Sequence, residues 1–176
     1  MRIETARLLL RPLTSEDEAA LATVLSDAET MRWYPRPLTR DEVREWIERQ
    51  LGRYSSSTGL LGLVEKQTGR LIGDCGPVWQ EVEGRTELEI GYHVSRERWN
   101  QGFATEAARV VIDYAFENLG VERVVSMIRP ENLASRRVAE KNGLTPERMV
   151  FWRNYETCIY QRTRSSADGK QRANRE

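Results

Sequence analysis

Soft metal ligands are scarce: the 176 residues hold one histidine and two cysteines. A structural zinc site takes four clustered ligands, usually Cys and His, so no metal is expected. Cys75 and Cys158 lie far apart and make no disulfide framework; they read as reduced thiols. Long apolar runs are missing as well. The richest stretch, Leu60-Leu61-Gly62-Leu63-Val64, falls far short of the roughly 20 residues a membrane helix needs. Met1 to Arg7 shows no apolar signal core, which predicts a cytoplasmic chain without a membrane partner. Excess charge is absent too. Lys plus Arg is 27 and Asp plus Glu is 27, so direct nucleic-acid binding through bulk charge is not expected. Neither G-x-x-x-x-G-K-[ST] nor any G-x-G occurs, which excludes the Walker loop and the dinucleotide fingerprint.

What the chain has is apolar mass at regular spacing. Hydrophobic residues make up 39% and charged residues 31%, enough for one core and a single domain over 1–163. Arg7 to Arg11 reads as a first strand ending at Pro12. Ser15-Glu16-Asp17-Glu18 and Thr39-Arg40-Asp41-Glu42 read as capping boxes opening two helices, the second with a stop at Gly52. Leu60–Glu65 and Leu71–Val78 flank a turn with Gly69 and predict a hairpin. Glu87 to Val94 alternates like a strand. Ala104, Ala107, Ala108, Val111, Ile112 and Ala115 give the clearest helical pattern. A strand over Val121–Ile128, a helix capped by Asn132 and ended by Gly143, and two closing strands near Met149–Trp152 and Thr157–Arg162 follow. This order predicts an α+β domain around a mainly antiparallel sheet. Periodicity ends at Arg164. The tail, 164–176, holds four basic side chains against two acidic ones and is expected to be disordered, with contact to a ribosome left open.

The most informative segment joins a strand to the long helix: Trp99-Asn100-Gln101-Gly102-Phe103-Ala104-Thr105-Glu106-Ala107. Gly102 and Ala104 let a ligand approach the backbone, and the free N–H groups of a helix start attract an anion. On spacing alone, Gly102 could equally do no more than turn the chain. The segment resembles the acetyl-coenzyme A loop of the GNAT N-acetyltransferase superfamily, Q/R-x-x-G-x-G/A. Trp99 stands where Gln or Arg is usual. That departure is similar to the RimJ/RimL-like branch, the ribosomal-protein N-terminal acetyltransferases, where W-x-x-G-[YF]-A-T-E-A recurs. Thr5 to Leu13, Glu89 to Val94 and Asn132 to Leu144 are similar to three further segments of that branch, in the same order. The resemblance implies a GNAT fold whose sheet splays at the cofactor, with Gly91 helping to part the strands.

The resemblance also implies acetyl-CoA as cofactor and direct transfer to an amine in a ternary complex, without an acetyl-cysteine at Cys75 or Cys158. It assigns the phosphates to Gln101, Gly102, Phe103, Ala104 and Thr105. It places the pantetheine beside Tyr92, His93 and Val94, with Asn132 and Ser135 along it. Glu89 is the candidate base; a structural ion pair or a hold on the substrate's ammonium are its other readings. Ser135 is the candidate donor to the leaving thiolate, since Ala139 stands where relatives place a tyrosine acid. His93 reads as packing beside the cofactor or as a proton relay. Trp33, Tyr34, Glu87 and Glu89 are expected at the acceptor mouth, although Trp33 and Tyr34 also suit a core. The expected acceptor is a protein N-terminal amine. A small amine, an amino acid or an aminated antibiotic is the alternative, as is a catalytically idle acyl-CoA sensor. Monomer and homodimer both remain open.

Overall fold

The computed structural model describes residues 1–165. The elements in chain order are β1 (Ile3–Glu4), β2 (Leu8–Arg11), α1 (Glu18–Leu25), α2 (Arg40–Arg53), β3 (Leu61–Glu65), β4 (Leu71–Val82) and β5 (Arg85–Val94). Then come α3 (Phe103–Glu117), β6 (Arg123–Ile128), α4 (Leu133–Lys141), β7 (Thr145–Trp152) and β8 (Tyr155–Thr163). The strands form one sheet in the order β1-β2-β3-β4-β5-β6-β8-β7. This is the expected α+β class. The expected tail lies, beyond Ser165, outside the described residues.

Every neighbouring pair is antiparallel except β5 and β6, which run parallel. That pair touches at one register point, Glu89 opposite Val125. The Ser126 hydroxyl donates to the Ile90 carbonyl at 3.0 Å and closes the apex of the wedge. Beyond it β5 runs on to Val94 with β4 as its only strand neighbour among the described residues, so the sheet opens on one side of Gly91, Tyr92, His93 and Val94. Gly91 is not forced to be glycine by crowding, since a Cβ there would meet Leu60 Cδ2 at 3.5 Å. The close approach belongs to its cross-strand partner Gly76, where a Cβ would sit 2.1 Å from the Gly59 carbonyl.

Side-chain alternation along β5 sorts the layers. Leu88 and Ile90 join the core beneath α3, whose Ala107, Val111, Ile112, Ala115 and Phe116 are buried at helical spacing. Each fully buried aliphatic or aromatic side chain contributes about 1.5–3 kcal/mol. Glu89 and His93 point to the other face. There α1 and α2 close a second cluster around Leu21, Val24, Leu25, Val43 and Ile47.

The second capping box is as expected: Thr39 accepts from the Glu42 N–H at 3.3 Å and Glu42 reaches back. The first is shifted by one residue. Thr14 and Asp17 form it, not Ser15 and Glu18, because Arg11 clamps the Asp17 carboxylate with two 2.7 Å bonds. Helix α2 also runs through Gly52 to Arg53, and the chain turns only after a short 3₁₀ segment, at Ser57 with φ 58°. The two long hairpins turn on pairs with positive φ, Glu83-Gly84 and Arg153-Asn154.

Candidate active site

Helix α3 begins in a left-handed turn. Asn100 has φ 59° and Gly102, its N-cap, φ 83°. The N–H groups of its first turn have no helical acceptor and aim outward. The loop is tied down from behind. Arg7 stacks on Phe103 at 4.2 Å, donates to the Gln101 carbonyl at 2.9 Å and pairs with Glu106 at 2.6 Å. Thr5 donates to the same Glu106 carboxylate at 2.6 Å. The acid of the loop segment therefore anchors the helix start to the turn between β1 and β2. The Trp99 indole donates to the Val94 carbonyl at 2.7 Å and fixes the loop to the free end of β5.

A cleft of about 330 Å³ opens between this loop, the splayed end of β5 and α4. Tyr92, His93, Val94, Gly102, Phe103, Ala104, Thr105, Asn132 and Ser135 all line it, and Arg137 and Lys141 of α4 add positive charge. Gln101 does not line it: its side chain donates to the Glu97 carbonyl at 3.0 Å and its own carbonyl is held by Arg7. Asn132 caps α4 by accepting the Ser135 N–H at 3.1 Å, which leaves its amide N–H₂ for a ligand. The Tyr92 hydroxyl crosses the wedge to the Ser135 carbonyl at 3.0 Å, and burial pushes its pKa up. The Ser135 hydroxyl has no protein partner among the described residues.

A second cleft, about 460 Å³, shares Trp33, Tyr34, Tyr92, His93, Asn132 and Ser135 with the first. Both volumes lie within the range of small-molecule sites. Glu89 lies in the second cleft and accepts from the Gln80 amide at 2.8 Å. Burial raises its pKa above the usual carboxylate value, against the lowering effect of Gln80, Arg153 and His93. Glu87, expected beside it, is not in either cleft. Its carboxylate is buried in a pair with Arg123 at 3.1 Å, and Arg123 continues to Glu147 at 2.7 Å.

Where the clefts meet, four side chains make a chain of hydrogen bonds. Asp74 lies directly opposite His93 in the β4–β5 ladder, so their side chains share a face. The His93 Nδ1 is 2.7 Å from Asp74 Oδ1, and its Nε2 is 2.6 Å from the Tyr34 hydroxyl. The Trp46 indole donates to the other Asp74 oxygen at 2.9 Å. A carboxylate only accepts, so in a neutral ring paired to it Nδ1 carries the proton and Nε2 accepts from Tyr34. Burial, then the charges of Glu89 and Asp74, push the Tyr34 pKa up, so the phenol keeps its proton. Asp74 and Trp46 are not among the residues singled out from the sequence. The signal for Asp74 was a lone acid inside an apolar strand; Trp46 shares helical spacing with the apolar Val43 and Ile47, a pattern that suits a core.

The family described as an acetyltransferase (GNAT) domain matches residues 7–145. The uncharacterized protein YkkB of Bacillus subtilis is 34% identical over 163 residues, covering 92% of this chain and 95% of that protein. The uncharacterized N-acetyltransferase YoaA of the same organism is 30% identical over 167 residues, covering 90% and 94%. A GNAT-family acetyltransferase structure from Bacillus anthracis superposes with a TM-score of 0.76 at 26% identity, covering 92% and 96%. Acetyl-CoA is the donor in this family, and the free helix start, the left-handed Gly102 and the opened sheet suit its phosphates and extended arm. This chain belongs to the GNAT acetyltransferase family and is an N-acetyltransferase.

Proposed function

We propose that the two clefts are the donor and acceptor sides of one active site, and that residues 1–163 form one catalytic domain. Acetyl-CoA supplies an acetyl thioester for the amine to attack. Backbone N–H groups from Gly102 to Thr105 hold its phosphates, and Asn132 steadies its arm. Ser135 donates to the departing sulfur. The acceptor enters past Trp33 and Tyr34, and a protein N-terminal amine fits this open groove.

One observation carries the reading. Glu89 sits at the single point where β5 and β6 touch, faces the acceptor cleft, and has a raised pKa. A carboxylate with raised pKa is a stronger base and takes the proton that an arriving ammonium must lose. Glu89→Gln lowers kcat by roughly 10²–10⁴-fold, and the loss shrinks at high pH, where the amine arrives neutral. Cofactor affinity stays unchanged.

The chain through Asp74 favours a second proton route. The ammonium passes its proton to the Tyr34 oxygen while the Tyr34 proton moves to His93 Nε2, and Asp74 stabilises the imidazolium. Steady-state rates of Glu89→Gln, Tyr34→Phe and His93→Gln across pH separate the two. On the first route only Glu89→Gln lowers kcat more than about tenfold; on the second, Tyr34→Phe and His93→Gln do so and Glu89→Gln does not.

A further inference from the structure

The acceptor cleft carries charge that acetyl transfer does not need. Arg49, Arg53, Arg129 and Arg153 line it, against the one carboxylate of Glu89. They come from three places in the chain. Arg49 and Arg53 are four residues apart on α2 and share a face. Arg129 follows β6 and stacks on Tyr155 with its guanidinium carbon 3.3 Å from the ring centre. Arg153 is presented by the β7–β8 turn, at φ 48°.

Arg153 is placed relative to the base. It donates to the Gln80 Oε1 at 3.2 Å, and the amide of the same Gln80 donates to Glu89 at 2.8 Å. One side chain thus spaces a cation from the carboxylate that meets the amine. Arg53 donates to Gln50 at 3.2 Å, and among the described residues no carboxylate is salt-bridged to Arg53, Arg129 or Arg153. Arg49 has Glu45 at 3.8 Å, one turn back on its own helix. Burial and the charges of Arg49 and Arg153 push the Arg53 pKa down. Four cations gathered around one carboxylate repel one another, and an arriving anion relieves that repulsion.

We infer that these arginines form an anion subsite, and that the acceptor is an amine carrying a carboxylate or phosphate close to the reacting nitrogen. This deepens, and rests on, the reading of the Glu89 cleft as the acceptor side. Guanidinium groups bind both anions in bidentate fashion. Glu89 then meets the ammonium while Arg53 and Arg153 meet the anion. A polyamine or an aminoglycoside brings only positive charge and is repelled.

The test uses matched acceptors with the full chain: a tetrapeptide with glutamate at its second and third positions against the same peptide with glutamine, phosphoethanolamine against ethanolamine, and spermidine. Thiol release from acetyl-CoA gives kcat/KM for each. The expected result is a preference of at least about tenfold for the anionic member of one pair, carried by KM. The peptide pair responding assigns a carboxylate; the phosphoethanolamine pair responding assigns a phosphate. The preference collapses toward unity in Arg53→Gln and Arg153→Gln, and it weakens with added salt. Equal rates within both pairs, a preference for spermidine, or a preference that survives both substitutions overturns the inference. If no amine is acetylated, the acceptor reading itself fails. Calorimetric titration of the same anionic and neutral compounds then decides the subsite separately: tighter binding of the anionic member that is lost in Arg53→Gln supports it, and equal binding overturns it.

Discussion

Among single residues, Glu89 combines a place in the second cleft with a cost in stability. Its folded pKa lies above the ordinary 4.5 because burial disfavours the charge. Below pH 4.5 both folded and unfolded chains hold the proton and the group makes no difference. As pH rises, the unfolded chain ionises first, so Glu89 takes stability away until the folded pKa is passed. Glu89→Gln is therefore expected to melt at a higher temperature than the parent at pH 8 and at the same temperature at pH 4, in thermal scans monitored by circular dichroism. The cysteines give a second prediction. Cys75 is fully buried with its thiol pKa pushed well up, and burial raises that of Cys158 too. Neither thiolate is available as a nucleophile at neutral pH. Intact mass after exposure to acetyl-CoA alone is expected to show no added acetyl group; an adduct lost on Cys75→Ala or Cys158→Ala would reverse the direct-transfer mechanism. Glu89 was legible through the resemblance of its strand to the family; parity alone does not separate it from Glu87, which the fold pairs with Arg123. Asp74 was not legible as the partner of His93, because that depends on the register of two strands.

For the elements, the start of α3 is the most constrained. Gly102 has φ 83°, a conformation that costs other residues about 1–2 kcal/mol, and a Cβ there would meet only Arg7 Nη2 at 3.5 Å. Space is therefore not the obstacle, and backbone strain is. Gly102→Ala is expected to lower stability by about 1 kcal/mol, and Gly102→Val, with its branched side chain over the free N–H groups, to weaken coenzyme A binding by at least about tenfold. Calorimetry with coenzyme A on the folded variants checks both. Unchanged affinity of Gly102→Val would remove the loop from the phosphate site. The cap at Thr39 was legible because a capping box is local. The first capping box was misplaced by one residue, and it opens the 3₁₀ turn Ser15–Asp17 ahead of α1, because Arg11, outside the helix, decides which acid turns inward.

On the scale of the whole molecule, one eight-stranded sheet is continuous up to the point where β5 and β6 part. Phe116 of α3 is fully buried beneath that sheet. Phe116→Ala is expected to cost about 3–5 kcal/mol, a large part of the 5–15 kcal/mol typical of a domain, and to lower the urea midpoint accordingly. No helix among the described residues is long and apolar enough to cross a membrane. The two clefts share Trp33, Tyr34, Tyr92, His93, Asn132 and Ser135, so they meet at the splayed end of β5.

The sequence by itself determined the helix and strand types, the glycine turn before α3, the cap at Asn132 and the family. Each rests on local spacing or on an ordered set of motifs, which one chain displays without folding. Only the tertiary structure decided the rest. It removed Glu87 from the cleft by pairing it with Arg123, turned Gln101 away, and made a hydrogen-bonded chain of Trp46, Asp74, His93 and Tyr34. It also gathered arginines from α2, the end of β6 and the last hairpin around Glu89. Those arrangements depend on which groups from distant segments meet in a low-dielectric interior. Register and packing set that, and residue spacing does not encode it.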